Sequence, residues 1–257
     1  MRIDLNCDMG ESFGAYTIGN DDAVMPSITS ANIACGVHAG DPSVLRRTIR
    51  LAMANDVAIG AHPGFPDLVG FGRREMNATP AEVEDLVLYQ VSAAAGMAAA
   101  EGARLQHVKP HGALYHQAVR DGDISAAIAR AVAAADRSLI FFGQVGSKML
   151  DAGRAAGLRV AAEGFADRAY EPDGSLASRR KAGSVIHDPD RVVARVLQMV
   201  TDGTVEATDG STVAIVADTI CVHGDTQGAE QLAARIKAGL ERVGVALLPV
   251  GCEDSDG

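Results

Sequence analysis

The sequence predicts an α/β protein whose seven or eight mainly parallel strands close into a (β/α) barrel, and three observations carry that expectation. The first is the stretch Asp4-Leu5-Asn6-Cys7-Asp8-Met9-Gly10-Glu11. Side chains on a strand alternate between two faces, so Ile3, Leu5 and Cys7 point one way while Asp4, Asn6 and Asp8 point the other. The second is that five further strand-like runs end in His, Lys, Glu or Asp and lead into helical patterns. The third is the regular strand-then-helix spacing, which implies parallel strands joined by right-handed crossovers. An open doubly wound sheet shares this grammar, but polar residues at nearly every strand end favour strands that surround a single mouth.

After the first strand, Gly10 and Gly14 mark a turn and residues 21–29 a short helix. Residues 30–36 are the second strand. Asp41-Pro42 then opens a helix to about Asn55, because the aspartate accepts orphan N–H groups and proline fills the first position without losing a donor. Val44, Leu45, Ile49 and Ala52 or Met53 form its buried stripe. Residues 57–61 are the third strand. The loop from there to Ala78 carries Phe65, Pro66, Leu68, Val69 and Phe71, which predicts a lid or a partner surface rather than disorder. Thr79-Pro80-Ala81-Glu82 begins the next helix as a capping box, and Gly102 stops it.

Residues 104–109 are the fourth strand, and Asp123 is expected to cap a helix running to about Asp136. Residues 139–145 and 159–165 are strands five and six, separated by a helix that Gly157 closes. A second long loop, 166–187, precedes a helix opened by Asp188-Pro189. The turn-rich segment 202–211 leads to the seventh strand, which ends at Cys221-Val222-His223, and then come a helix to about Gly244 and a short strand over 245–250. Residues 1–251 read as one domain and 252–257 as an acidic, disordered tail.

A chain of 257 residues suffices for one large domain with a substantial core. Its 33 acidic and 23 basic residues give a formal charge of −10 without a basic stripe, which argues against nucleic acid or anionic membrane as a partner. Cysteines 7, 35, 221 and 252 are scattered, with no secretory leader before Asp4, and read as free thiols in a reducing cytoplasm. The longest small-apolar run, 92–100, is too short to span a bilayer.

Asp8, His38 and His62 follow successive strands, so a barrel would bring them to adjacent points of its rim. One carboxylate and two imidazoles leave open positions on a divalent metal, as hydrolytic sites require; the other reading makes both histidines loop residues bonded to backbone. Lys109 and His111 come next. A lysine drawn into the mouth either meets a carboxylate or lowers its pKa, and a structural pairing with Asp4 or Glu163 is the competing reading. His111 can exchange protons near neutral pH. Arg168 and Arg179 match a substrate carboxylate in two-point fashion, and Asn6 and His223 join them as binding candidates. Glu163 and Asp225 complete the catalytic candidates, with Asp225 equally readable as a helix cap. His107, His116 and His187 read as local or exposed. The sequence has no Walker-type loop, no G-x-G-x-x-G after a strand and no G-x-S-x-G elbow.

Six blocks, taken together, resemble the LamB/YcsF family over residues 1 to about 251. They are the opening stretch, Asn32-Ile33-Ala34-Cys35-Gly36-Val37-His38-Ala39-Gly40-Asp41, Gly60-Ala61-His62-Pro63-Gly64, Val108-Lys109-Pro110-His111-Gly112-Ala113-Leu114-Tyr115, Glu163-Gly164-Phe165-Ala166-Asp167-Arg168-Ala169-Tyr170 and Val222-His223-Gly224-Asp225. The resemblance implies a distorted barrel akin to the polysaccharide deacetylase group. It also implies ATP-dependent opening of 5-oxo-L-proline to L-glutamate by one component of a 5-oxoprolinase, the one designated A, which works with subunits B and C. ATP would be a co-substrate whose site is left open, as is any homo-oligomeric state. Within that reaction Asp8, His38 and His62 would position water or a divalent metal, Lys109 and His111 would handle charge and protons, and Arg168 or Arg179 would hold the substrate carboxylate. The alternatives are a metal-dependent carbohydrate deacetylase and a non-catalytic protein that binds the lactam or serves as a scaffold.

Overall fold

Alternation along the first strand decides the architecture. Leu5, Cys7 and Met9 are buried in an apolar layer, while Asp4, Asn6 and Asp8 turn the other way, toward side chains of strands across the sheet. The computed structural model describes residues 1–178, 181–224 and 228–252. Its strands are β1 (Arg2–Met9), β2 (Ser30–Ala34), β3 (Ala58–His62), β4 (His107–Val108), β5 (Ile140–Gln144), β6 (Arg159–Phe165), β7 (Thr204–Glu206), β8 (Thr212–Ala214), β9 (Thr219–Val222) and β10 (Ala246–Leu247). Among the described residues β1 to β6 and β9 lie side by side in parallel, and β9 pairs back onto β1 with Leu5 opposite Ile220, closing a seven-stranded barrel. β10 extends the sheet beside the start of β1.

The helices are α1 (Asp21–Val24), α2 (Pro42–Ala54), α3 (Pro80–Ala100), α4 (Gly112–Arg120), α5 (Gly122–Ala135), α6 (Lys148–Ala155), α7 (Pro189–Asp202) and α8 (Ala229–Arg242). Three start as their sequences require. Asp41 accepts from the amides of Ser43 and Val44, Thr79 and Glu82 form a reciprocal capping box, and Asp188 accepts from Asp190 and Arg191. They pack against the barrel through two apolar layers, one around Leu5, Ile33, Ile49 and Ile236, the other around Val87, Leu114, Ile128 and Phe141. No helix among the described residues is long and apolar enough to cross a membrane.

The structure corrects the sequence reading in three places. The helix expected from Asp123 is preceded by another, α4, and the cap of α5 is Asp121, which accepts from Asp123 and Ile124. Gly112 turns at φ +53 and opens α4, with His111 between it and Pro110 as the N-cap. The segment 202–211 expected to be turn-rich contains β7, which pairs antiparallel with β8 just beyond it. The strand expected over 104–109 narrows to His107–Val108. The tail beyond Cys252 lies outside the described residues.

The barrel interior is polar where many barrels are filled by branched apolar side chains. Asp4 accepts from the hydroxyls of Thr29 (2.6 Å), Ser30 (2.7 Å) and Thr219. Asn6 donates to Thr219 at 2.7 Å and accepts from Asn32 at 2.8 Å, and Asn32 Oδ1 meets His107 Nε2 at 2.9 Å. His107, expected to be local or exposed, is therefore an interior residue. It stacks on Phe142 at 4.3 Å, and burial and then the Lys109 charge push its pKa down to about 3, keeping it neutral. A Cβ on Gly60 would lie 2.1 Å from His107 Nε2, so only glycine leaves room for the ring.

Gly60→Ala is accordingly expected to destabilise the protein by about 1–3 kcal/mol in urea unfolding; an unchanged midpoint would refute this packing. Burial pushes the Asp4 carboxyl up to about 6 from 3.8, outweighing its three hydroxyl donors. A raised folded-state pKa means that the native state holds the extra proton, so this group's contribution to stability falls as pH rises from about 4 to 6 and is flat above. Between pH 4 and pH 7 the unfolding free energy of Asp4→Asn should therefore gain roughly 2–3 kcal/mol on the parent chain. A difference that does not change with pH would contradict it.

Candidate active site

Pro110 ends β4, and Lys109, just before it, reaches into the barrel mouth. Its ammonium lies 2.8 Å from Asp8 Oδ1, 3.0 Å from Glu163 Oε1, 3.0 Å from Cys221 Sγ and 3.2 Å from Asn6 Oδ1. Burial works against this charge, but Asp8, Cys221 and Glu163 together outweigh it and raise the lysine pKa well above its ordinary value. Of the two outcomes open to a buried lysine, meeting a carboxylate prevails; the carboxylates are Asp8 and Glu163, and Asp4 is bonded to hydroxyls instead. The other Glu163 oxygen accepts from Tyr115 at 2.6 Å.

Asp8 divides its two oxygens. Oδ1 is held by Lys109 and by Asn32 at 2.9 Å, while Oδ2 faces His62 Nε2 at 3.3 Å. Burial opposes its charge, but His62 and Lys109 more than compensate and hold the carboxyl well below the usual carboxylate range.

Beside Asp8 lies a histidine cluster assembled from four loops and strand ends. His62 ends β3, His38 follows β2 and His111 precedes α4. Gly10, at φ +68, turns the chain after β1 and brings Glu11 to them, with Oε1 3.8 Å from His38 Nε2 and 3.7 Å from His111 Nδ1. The His38 and His111 rings stack at 3.9 Å. Burial, followed by the neighbouring imidazoles, holds both well below the ordinary histidine pKa. The loop between β3 and α3 covers the cluster. Phe71 meets His38 and His111 edge-on and accepts a 2.8 Å hydrogen bond from His111 Nε2.

A cavity of about 830 Å³ opens over these groups, lined by Asp8, His62, Lys109, His111, Tyr115, Phe165, Arg168 and His223, with Arg73, Arg74, His116 and Arg120 toward its outer side. His223 Nδ1 pairs with Asp167 at 2.9 Å. The Arg168 guanidinium donates to the carbonyls of Ala177 (2.6 Å) and Ser184, joining described parts of the 166–187 loop.

The mouth thus brings together Asp8, His38, His62, Lys109, His111 and Glu163, with Arg168 and His223 on the cavity wall. Asn6 is fully buried below Lys109, and its amide is occupied by Thr219, Asn32 and the lysine, which makes it a prop. Arg179 and Asp225 lie outside the described residues. Of the expected metal set Asp8, His38 and His62, the two histidines stand with Glu11 and His111 in one group whose possible ligand atoms lie within 4.8 Å of one another, and Asp8 stands with Cys221 and His223 in a second. Glu11 and Tyr115 were missed, although both stand in the motifs; Gly10, before Glu11, was the available sign that the chain bends there.

Comparison with known proteins agrees over nearly the whole length. The model of the LamB/YcsF family matches residues 3–254. The A component of the 5-oxoprolinase of Bordetella pertussis is 55% identical over 245 residues, 95% of this chain and 97% of that one. Its counterpart in Pyrococcus furiosus is 51% identical over 251 residues, 98% of each. The crystal structure of a lactam utilization protein from Thermus thermophilus, 49% identical, superposes with a TM-score of 0.92 over 96% of this chain and 99% of that one. On a match that takes in every strand of the barrel and every group at its mouth, the chain belongs to the LamB/YcsF family.

Proposed function

We infer that this chain is the A component of a 5-oxoprolinase, which opens 5-oxo-L-proline to L-glutamate at the expense of ATP, together with subunits B and C in the cytoplasm. The observation that carries this reading is the near full-length likeness to relatives named as that component of 5-oxoprolinase. The cavity is chemically suited to it.

A five-membered lactam is a stable amide, so water opens it only if the carbonyl carbon is made more electrophilic. Transfer of a phosphoryl group from ATP to the amide oxygen does this, leaving ADP; one water then adds to the carbon and the ring C–N bond breaks to give an acyl phosphate, which a second water hydrolyses to glutamate and phosphate. Lys109 supplies a fixed positive charge where negative charge builds on oxygen, in a site that needs no reorganisation. Asp8 Oδ2, the oxygen not held by Lys109 and Asn32, takes a proton from the attacking water; so low a carboxylate pKa makes it a weak base, which an activated carbon tolerates. Tyr115 and Glu163 hold Lys109 in place, and Arg168 or Arg179 receives the substrate carboxylate. A divalent ion at the histidine cluster would add acidity to a bound water.

Release of ADP and of glutamate, measured with this chain alone and with both partner proteins, tests the assignment. The complete assembly should release both, and Asp8→Ala should lower glutamate release at least about 100-fold; an intact assembly that releases neither product removes the proposal. Lys109→Ala leaves Asp8 and Glu163 buried without their cation, and is expected to cost about 3–5 kcal/mol in urea unfolding and to abolish glutamate release. Full activity in the assembled Lys109→Ala complex would instead make this chain a non-catalytic component.

A further inference from the structure

The buried polar groups on the cavity wall are already committed. Lys109 pairs with Asp8, Tyr115 with Glu163 and His223 with Asp167, while His62, His111 and Arg168 meet backbone carbonyls. Gln144 is different. It lines the same cavity and is only 4% exposed, yet among the described residues its side-chain amide makes no hydrogen bond; its backbone carbonyl accepts from Ser147. An amide withdrawn from water without a partner lowers stability, so a buried one on a cavity wall points to something that occupies the cavity.

Strand geometry aims it there. Gln144 is the last residue of β5 and lies opposite Glu163 of β6, whose carboxylate holds Lys109 at 3.0 Å. Phe142, two residues earlier, faces the barrel interior, where it stacks on His107, and alternation places Gln144 on the same face, nearer the mouth. A primary amide offers a carbonyl acceptor and an N–H donor side by side on one edge. A five-membered lactam has the matching edge, because the ring forces its amide cis and its N–H and C=O point the same way. Open-chain amides are trans and carry those groups on opposite edges.

We propose that Gln144 is the lactam-recognising residue of the cavity: it accepts the ring N–H at Oε1 and donates from Nε2 to the ring carbonyl oxygen, and so selects cyclic amides over open-chain ones. This assignment rests on the reading of the cavity as a 5-oxo-L-proline site and adds the group that reads the ring. A carbonyl oxygen has two lone pairs, so Nε2 leaves the second for the Lys109 charge and for phosphoryl transfer. The two hydrogen bonds run in opposite directions. A ring with oxygen in place of N–H therefore loses one of them and sets two acceptors against each other. Lys109 and Arg168 cannot make this distinction, because both only donate.

The test is calorimetric titration of the complete assembly, without ATP, with 5-oxo-L-proline and with the lactone that has oxygen in place of the ring N–H. The parent should bind the lactam at least about 10-fold more tightly than the lactone. Gln144→Leu, which keeps the volume and removes the polar atoms, and Gln144→Asn, which keeps the amide but withdraws it, should each reduce that preference to within about 3-fold, with far-ultraviolet circular dichroism confirming the fold. In glutamate release with ATP, both should raise KM about 10-fold or more and leave kcat within about 3-fold. Variants that keep the preference overturn the assignment, as do variants that weaken lactam and lactone equally, which loss of a bound water or of wall packing would produce. So does a parent that binds no lactam or binds both ligands alike, or a fall in kcat at unchanged KM. A Gln144-dependent preference in an assembly that releases neither product would uphold lactam recognition while removing the ring-opening reaction; an active assembly indifferent to Gln144 would do the reverse.

Discussion

The structure depends on one buried cation. Lys109 lies inside the barrel, within 3.0 Å of both the Asp8 and the Glu163 carboxylates. Charges are costly to remove from water, and they persist here because every partner is supplied: Asn32 for Asp8, Tyr115 for Glu163, Asn6 and Cys221 for the ammonium. Those partners come from β1, β2, β6, β9 and α4. Closing the barrel and satisfying the lysine are therefore one event, and the same group that ties the strands together faces the substrate space.

From that cation two chemically different regions extend. Below it runs a chain of amide, hydroxyl and imidazole contacts, from Asn6 through Thr219 to the Asp4 carboxyl and through Asn32 to His107, which fills the barrel. Beside it, Asp8 links the charged centre to a group of imidazoles that share one carboxylate, Glu11. A site so divided can hold a fixed positive charge and a set of electron-pair donors a few ångströms apart. Water in bulk offers neither in a fixed geometry, and the division is what the proposed ring opening draws on.

Two long connections complete the mouth. The β3–α3 loop lays Phe71 across His38 and His111, and the β6–α7 loop is fastened by Arg168 to its own carbonyls and by Asp167 to His223. The described parts of both loops are held by buried polar contacts.

The sequence by itself determined what depends on short range. The caps at Asp41, Thr79 and Asp188 bind amides two or three residues ahead, and the two faces of the first strand follow from the alternation of any strand, so strands, helices and the inward row Asp4, Asn6 and Asp8 were legible. The gathering of Asp8, His38, His62, Lys109 and His111 at one mouth followed from their places at strand ends. Only the tertiary structure decided which acid meets which base. Lys109 takes Asp8 and Glu163 because β1, β4 and β6 close around it, and this leaves Glu11, turned inward by Gly10, to face the histidines. His107 looked exposed because Asn32, Phe142 and the space at Gly60 reach it only through strand pairing. The start of α4 likewise depends on a contact between Ala113 and Gly72 that is distant in the chain. Local hydrogen bonds can be read from spacing, whereas the pairing of buried charges is set by barrel closure, which no short stretch contains.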